Sequence, residues 1–336
     1  MLAPGDGGAE TFFEKLAIAF QASGVQQKLV ICRHKARRER LEAAGCEVIE
    51  IPAQGWRKWL AAGAVRRIAM EFKPTVQLAW MSRAAAALSR LPDCVNVARL
   101  GGYYPLKNYR KCDLLVGNTP GVLEYLRVEG WPSEKMRLIS NFGELPDNNG
   151  VTDPDELRKE LSIEPEQSVI LTMGRLHGNK AQDTMICAMP ELPQSVLLLA
   201  GVGPLEVELK GLAIELGVQD RVRFLGWRRD TAALFELADV CTFPSRIEPL
   251  GNVVLESWAY GVPIAAAASE GPSWLIENDQ SGLLFAVDDV DACAVATRRL
   301  LDDCVLRQRC VEGGLEKLRD QFSREAIISD FLAAFR

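Results

Sequence analysis

The sequence predicts an α/β protein made of two doubly wound domains, each a parallel sheet with helices on both faces. Three observations carry this. The chain has 336 residues, too many for one ordinary hydrophobic core. Short β-branched runs alternate with helix-period segments along its whole length. A stretch rich in Asn, Asp, Gly and Pro, "NFGELPDNNGVTDPDE" around residues 141–156, interrupts the alternation and reads as a linker.

The elements follow in order. In the first half "KLVICR", "CEVIEIP", "TVQLAW", "CVNVARL", "DLLVGN" and "MRLIS" read as buried strands, and "RRERLEAAG" and "WRKWLAAGAVRRIAMEF" have helical spacing. In the second half the strands are "SVILTMGR", "SVLLLAG", "RVRFLGW", "VCTFPS" and "PIAAAA"; the helices include "LEVELKGLAIELG", "TAALFELAD" and "DACAVATRRLL". Strands with continuous apolar runs belong to parallel sheets buried on both faces. In such sheets ligands bind beyond the carboxyl ends of the strands. The expected site is therefore the loops there, in a cleft between two facing domains.

Composition narrows the class. Hydrophobic residues make up 48% and charged residues 25%, ordinary values for a soluble domain. No apolar run approaches the ~20 residues of a membrane span, and "MLAPGDGGAETFF" lacks the regions of a signal peptide. The nine cysteines form no Cys-x-x-Cys pair and read as reduced thiols in the cytoplasm. Only His34 and His177 are present, which excludes a multi-histidine zinc site. The net charge of −6 hides an asymmetry: 21 Lys and Arg stand against 15 Asp and Glu up to Gly150, and 18 against 30 beyond it. A basic half suits an anionic lipid surface or a phosphorylated acceptor. Its densest run, "RHKARRER" (Arg33 to Arg40), reads first as a solvated helix face.

Three stretches carry chemistry. In "MGRLHGNKAQD" a strand ends at Gly174, and Arg175 and Lys180 bracket a polar loop that opens a helix. Two cations beside a helix N-terminus make an anion site suited to phosphate. His177 serves either that loop or a ligand. "LLLAGVGP" places Gly201 and Gly203 in a tight turn, a weak signal that lacks the third glycine of a dinucleotide fingerprint. "RIEPLGNVVLESWAYG" sets Glu248 and Glu256 eight positions apart, on either side of a helix start at Gly251 or Asn252. Backbone N–H groups of Gly251, Asn252 and Val253 can meet a phosphate there. Carboxylates suit vicinal sugar hydroxyls, since each accepts two hydrogen bonds. Capping accounts for Glu248 but not for Glu256, whose neighbours Val253, Val254, Leu255 and Trp258 are apolar.

The loop "GRLHGNK", the turn "GVGP", "FLGW" and the Glu248–Glu256 spacing together resemble the retaining glycosyltransferases of family four, in the expected order from about Ser168 to Val287. "EPLGNVVLESWA" with "EGPSWLIEND" looks most like bacterial members that build lipopolysaccharide or other surface polysaccharides. The resemblance implies the GT-B architecture. It gives residues 1–148 as an acceptor-binding domain, 149–312 as the nucleotide-sugar domain, and 313–336 as helices crossing back to the first domain. Arg175 and Lys180 would neutralise the donor diphosphate, and Glu248 would hold hydroxyls of the transferred sugar. Glu256 would accept the ribose hydroxyls. Gly7, Gly8, Gly174, Gly203, Gly251, Asn252 and Val253 would approach the donor through backbone groups, and Leu225, Gly226, Trp227 and Arg228 would lie beside its base.

The resemblance also implies a metal-independent enzyme with no cofactor beyond a UDP-, GDP- or ADP-linked sugar as substrate. A glycan or lipid-linked acceptor is expected on the basic domain, with apolar contacts from Trp56, Trp59, Tyr103 and Tyr104. No nucleic acid partner is implied. The expected location is the cytoplasm, with peripheral contact at the inner membrane. Two rivals share the architecture: a nucleotide-sugar epimerase and a non-catalytic nucleotide-sugar-binding protein. One departure stands out. Relatives run a full strand into the glycine loop, whereas only "MLAP" precedes Gly5 here, so the first, central strand of the N-terminal sheet is expected to be missing.

Overall fold

The computed structural model describes residues 1–3, 5, 7–53, 60–144, 153–228 and 230–335. Trp56, Trp59 and residues 145–152 of the linker lie outside them. The chain divides into two units, residues 1–141 with 324–336, and residues 142–323.

The first unit runs α1 (Gly8–Ala22), β1 (Leu29–Cys32), α2 (Lys35–Ala43), β2 (Val48–Ile51), α3 (Leu60–Phe72), β3 (Val76–Trp80), α4 (Met81–Ala87), β4 (Val95–Leu100), β5 (Leu114–Gly117), α5 (Pro120–Val128) and β6 (Met136–Leu138). All its strand pairs are parallel. They form not one sheet but two, β1-β2 and β3-β4-β5-β6. The facing edges β1 and β3 are separated by a slot that no strand among the described residues fills. A cavity of about 570 Å³ lies there, lined among others by Leu29 and Val30 of β1, Val76 and Leu78 of β3, Phe13 of α1 and Val65 of α3. Only the first residues enter it: the Met1 carbonyl accepts from Cys32 N at 3.2 Å and the Met1 amine donates to Val30 O at 3.0 Å. Among the described residues no strand pairs with the facing edges of β1 and β3, so ladder groups there have no strand partner.

The basic run departs from its first reading. Arg33, Lys35 and Arg40 do face solvent, but Arg37 has no exposed side-chain surface. Its Nε donates to Glu14 Oε1 at 3.0 Å, Nη1 to Ala3 O at 3.1 Å and Nη2 to Gly5 O at 2.7 Å. Arg40 meets the same carboxylate at 2.7 and 2.9 Å. Apolar burial cannot hold a charge at that depth, so the guanidinium is there because an acid and two carbonyls satisfy it. Replacing Arg37 with Met should cost about 3 kcal/mol, the usual loss when one partner of a buried pair goes. Urea denaturation measures this; a change within ~0.5 kcal/mol, the surface-residue range, would refute the tie.

The second unit runs α6 (Pro154–Glu160), β7 (Ser168–Met173), α7 (Gln182–Ala188), β8 (Ser195–Ala200), α8 (Glu206–Glu215), β9 (Val222–Gly226), α9 (Thr231–Leu237), β10 (Val240–Phe243), α10 (Asn252–Ala259), β11 (Ile264–Ala267), α11 (Glu270–Leu275), β12 (Leu283–Phe285), α12 (Val290–Asp302) and α13 (Cys304–Gln321). Its six strands form one parallel sheet in the order β12-β11-β10-β7-β8-β9. β7, β8, β10 and β11 are buried almost throughout, as their apolar runs require. β12 has no counterpart among the predicted strands. The chain ends in α14 (Arg324–Ala334), which belongs to the first unit; there Phe331 meets Phe20 of α1 edge-on, ring centroids 5.9 Å apart.

Candidate functional site

The strand order of the second unit reverses at β7: successive strands β8 and β9 lie to one side of it, and β10, β11 and β12 to the other. Beyond the carboxyl ends of β7 and β10 the chain therefore leaves in opposite directions and opens a crevice. The two loops that flank it are "GRLHGNK" after β7 and "PSRIEPLG" after β10.

These loops are fastened to each other. Ile247 N donates to Asn179 O at 3.2 Å. Arg246 donates to Gly178 O at 2.8 Å and forks onto Asp183 at 3.0 and 2.6 Å, with a further ion pair to Asp288. The result is that Lys180 Nζ is hydrogen-bonded and ion-paired to Glu248 Oε2. The lysine side chain is 27% exposed and the glutamate 14%, and the ammonium lies 5.5 Å from the centroid of the Phe243 ring. Glu248 Oε1 accepts from Gly251 N at 3.2 Å, so the same carboxylate also caps α10. Gly251 sits at φ 91°, ψ 63°, a left-handed conformation that glycine adopts without strain. Gly271 N donates to Glu248 O at 2.8 Å, which fixes the loop from the side of α11.

The other predicted residues distribute around this pair. Gly174, at φ 141°, ends β7; Arg175 and His177 are exposed, and His177 Nδ1 accepts from Asn179 N at 3.2 Å. His177 therefore serves its own loop. Gly203 has a packing reason to be glycine, because a Cβ there would lie 2.1 Å from Leu176 O; at Gly201 it would lie 1.9 Å from Gly174 O. The "GVGP" turn is thus pressed backbone to backbone on the "GRLHG" loop. At the end of β9, Leu225 and Gly226 are half-buried, and Trp227 just past it is 66% exposed. Arg228 is taken up by ion pairs with Glu160 and Asp230.

Glu256 is half-buried on α10, beside buried Val254, Leu255 and Trp258. Burial first, and then its negative charge, pushes up the Tyr260 phenol. Asn252 and Val253, at the start of the same helix, are half-buried. α10 is held by Trp258, whose indole donates to Ser281 O at 2.7 Å and stacks against Gly314, where a Cβ would lie 2.3 Å from Trp258 Cδ1. Gly7 and Gly8 open α1 in the first unit: Gly7 is extended at φ −169° and places no side-chain cap on the helix. Sequence reasoning gave Arg246 and Gly271 no role, although they build the crevice. Arg246 carried a signal, as the one charge between apolar "FPS" and "IEPLG".

A crevice at the switch point, flanked by a cation, a carboxylate and a helix N-terminus, can take a phosphate and hydroxyls side by side. Residues 153–317 match the family of glycosyl transferases group 1. The chain is 37% identical over 333 residues, 97% of its length and 95% of the relative's, to the lipopolysaccharide core biosynthesis glycosyltransferase LpsE of Rhizobium meliloti. The chain belongs to this family and is a glycosyltransferase. It is also 34% identical over 333 residues, 98% of its own length and 95% of the relative's, to LpsD of the same organism. Its fold is GT-B: a crystal structure of Anabaena Alr3699/HepE in complex with UDP and glucose aligns with a TM-score of 0.85 at 21% identity, over 99% of this chain and 97% of that one. WaaG, a glycosyltransferase involved in lipopolysaccharide biosynthesis, aligns at 0.72 and 18% identity over 99% and 96% of the two chains.

Proposed function

We propose that the protein moves a sugar from a nucleotide sugar to a glycan or lipid-linked acceptor in lipopolysaccharide core synthesis, with retention at the anomeric carbon. The observation that carries this reading is the Lys180–Glu248 pair at the switch point. The two side chains neutralise each other without a ligand, and a donor offers each a better partner. The diphosphate takes the ammonium together with the N–H groups at the start of α10, and the sugar hydroxyls take the carboxylate. As the anomeric C–O bond to the diphosphate breaks, Lys180, Arg175 and the helix N-terminus stabilise the charge left on phosphate. The acceptor oxygen bonds to the anomeric carbon, and its proton passes to the departing phosphate oxygen. Glu256 holds the ribose hydroxyls.

The names of LpsE and LpsD support the lipopolysaccharide core as the setting. The UDP complexes of the Anabaena protein make UDP the first nucleotide to try. No helix among the described residues is long and apolar enough to cross a membrane. Contact with an acceptor at a membrane face is therefore assigned to the basic first unit as a peripheral one. Thermal shifts with UDP, GDP and ADP and their glucose or mannose conjugates test the donor. At about 100 times its Kd the right nucleotide adds about 2.7 kcal/mol. Glu256→Gln should remove most of the shift given by nucleotide while leaving the ligand-free melting point in place. No shift with any nucleotide would sink the reading, and a free epimerised sugar nucleotide as product would replace it with an epimerase.

A further inference from the structure

Outside this crevice, the first unit holds a buried cation that nothing above employs. Arg99, near the carboxyl end of β4, is 1% exposed. Its guanidinium lies over the rings of Phe12 and Trp80, 4.9 and 5.0 Å from their centroids. Nη2 donates to the Asn141 side-chain oxygen, and Nε has no partner. No carboxylate among the described residues pairs with it. Burial draws its pKa down to about 9. A guanidinium at that depth without an acid is costly, and Arg37, the other buried arginine described above, has one.

The surroundings repeat the deficit. Asn118, just past β5, is 4% exposed and its Oδ1 has no partner; Ser140, past β6, is 4% exposed and its Oγ has none. Between them and Arg99 comes Gly101, which is half-buried. A Cβ at Gly101 would stand 3.3 Å from Arg99 Nη1 and 3.9 Å from Asn118 Nδ2, so only a residue without a side chain leaves approach to both groups open. Met81, after β3, holds φ 62°, a strained value for a residue with a side chain, and its sulfur accepts from Tyr104 Oη at 3.7 Å. All of this lies at the carboxyl edge of the β3–β6 sheet, the edge at which parallel sheets bind ligands.

We infer that Arg99, Asn118 and Ser140 form a subsite for an anionic sugar of the acceptor, its carboxylate or phosphate reaching Arg99 over Gly101. The inference rests on the transferase reading for the acceptor's presence. The two rings beneath it and Asn141 hold the guanidinium in place, so an anion meets a preorganised donor whose charge is little screened. An adjacent sugar hydroxyl satisfies Asn118 Oδ1.

The test is an NMR or calorimetric titration of the full chain with glucuronate, glucose 6-phosphate and glucose. Wild type should bind at least one charged sugar tenfold or more tightly than glucose, and the two charged probes separate carboxylate from phosphate recognition. Arg99→Met should abolish the preference. Arg99→Lys, which keeps the charge and loses the fork, should reduce it at least threefold and carries the test if the Met variant fails to fold. UDP affinity, measured alongside, should not move. Equal binding of charged and neutral sugars by wild type, or a preference that survives both substitutions, overturns the subsite. Absence of binding of UDP, GDP and ADP alike by wild type would instead strike the nucleotide-sugar reading.

Discussion

Replacing Lys180 with Ala should lower kcat by 10²- to 10³-fold, roughly 3–4 kcal/mol of barrier, with a melting point shifted by no more than a few degrees. The two effects separate because the lysine is worth little to the fold. Its ion pair with Glu248 is partly exposed, and such pairs contribute on the order of 1 kcal/mol or less. Glu248 keeps the Gly251 N–H as a partner when the ammonium is gone, and the two loops stay fastened through Arg246. In the reaction the ammonium faces charge that appears as the donor bond breaks, where a fixed cation counts for most. Glu248→Gln supplies the companion measurement: it retains the cap on α10 and loses the charge. Rates of sugar transfer and of donor hydrolysis, read with the melting curves, decide the matter. A Lys180→Ala enzyme that turns over normally would remove this residue from the chemistry.

A comparable effect, on stability, should come from filling the slot between β1 and β3. An extension of about eight residues ahead of Met1, with an apolar strand of four or five, would match the length of β3 at ~3.3 Å per residue. It should pair with both open edges and raise the melting point by on the order of 10 °C. Part of the gain has a pH signature. Burial, opposed by Cys32 and aided by Arg37, lowers the Met1 amine to a pKa of about 5, against about 8 in an unfolded chain. Between pH 8 and 5 the unfolded chain binds a proton there that the folded chain does not. Stability therefore falls as pH drops through that window, by roughly 4 kcal/mol in all, and the slope ends below about pH 5. Joining Met1 to a preceding residue turns the amine into an amide and removes this slope. Urea midpoints at pH 5.5 and 8, for the chain with and without the extension, would show it. Identical pH dependence in the two would refute the account.

Much of the architecture was legible in the sequence because parallel strands announce themselves as apolar runs, and eleven of the twelve strands were anticipated in this way. The exception is β12, whose apolar run Leu283–Phe285 is cut short between the turn at residues 278–282 and Asp288. Lys180 and Glu248 were legible as candidates from the chemistry of their loops, but not as a pair, since 68 positions separate them and only the strand order makes them neighbours. The opposite failure occurred at "RHKARRER". Its charge density suggested solvent, whereas one of its five Lys and Arg between Arg33 and Arg40, Arg37, serves the interior. A helix only nine residues long gives no pattern from which to choose the inward residue when its neighbours are also charged. The packing of Gly203 on Leu176 O was not legible, because close backbone packing and close ligand approach select the same residue.

The membership of α14 bears on the order of assembly during synthesis. Phe331, which has no exposed surface, and Phe335 both pack on Phe20 of α1, yet the residues of the second unit are translated between them. The second unit has its whole sheet and helices as soon as α13 leaves the ribosome, and nothing in it waits for α14. The unit whose residues emerge first is thus the one completed last. Until α14 arrives, Phe20 and its neighbours on α1 stay uncovered, and that nascent apolar face is what a chaperone would meet. Dissection follows the same logic: cutting after Asn141 yields a first unit without its closing helix, whereas joining residues 324–335 to that fragment restores it.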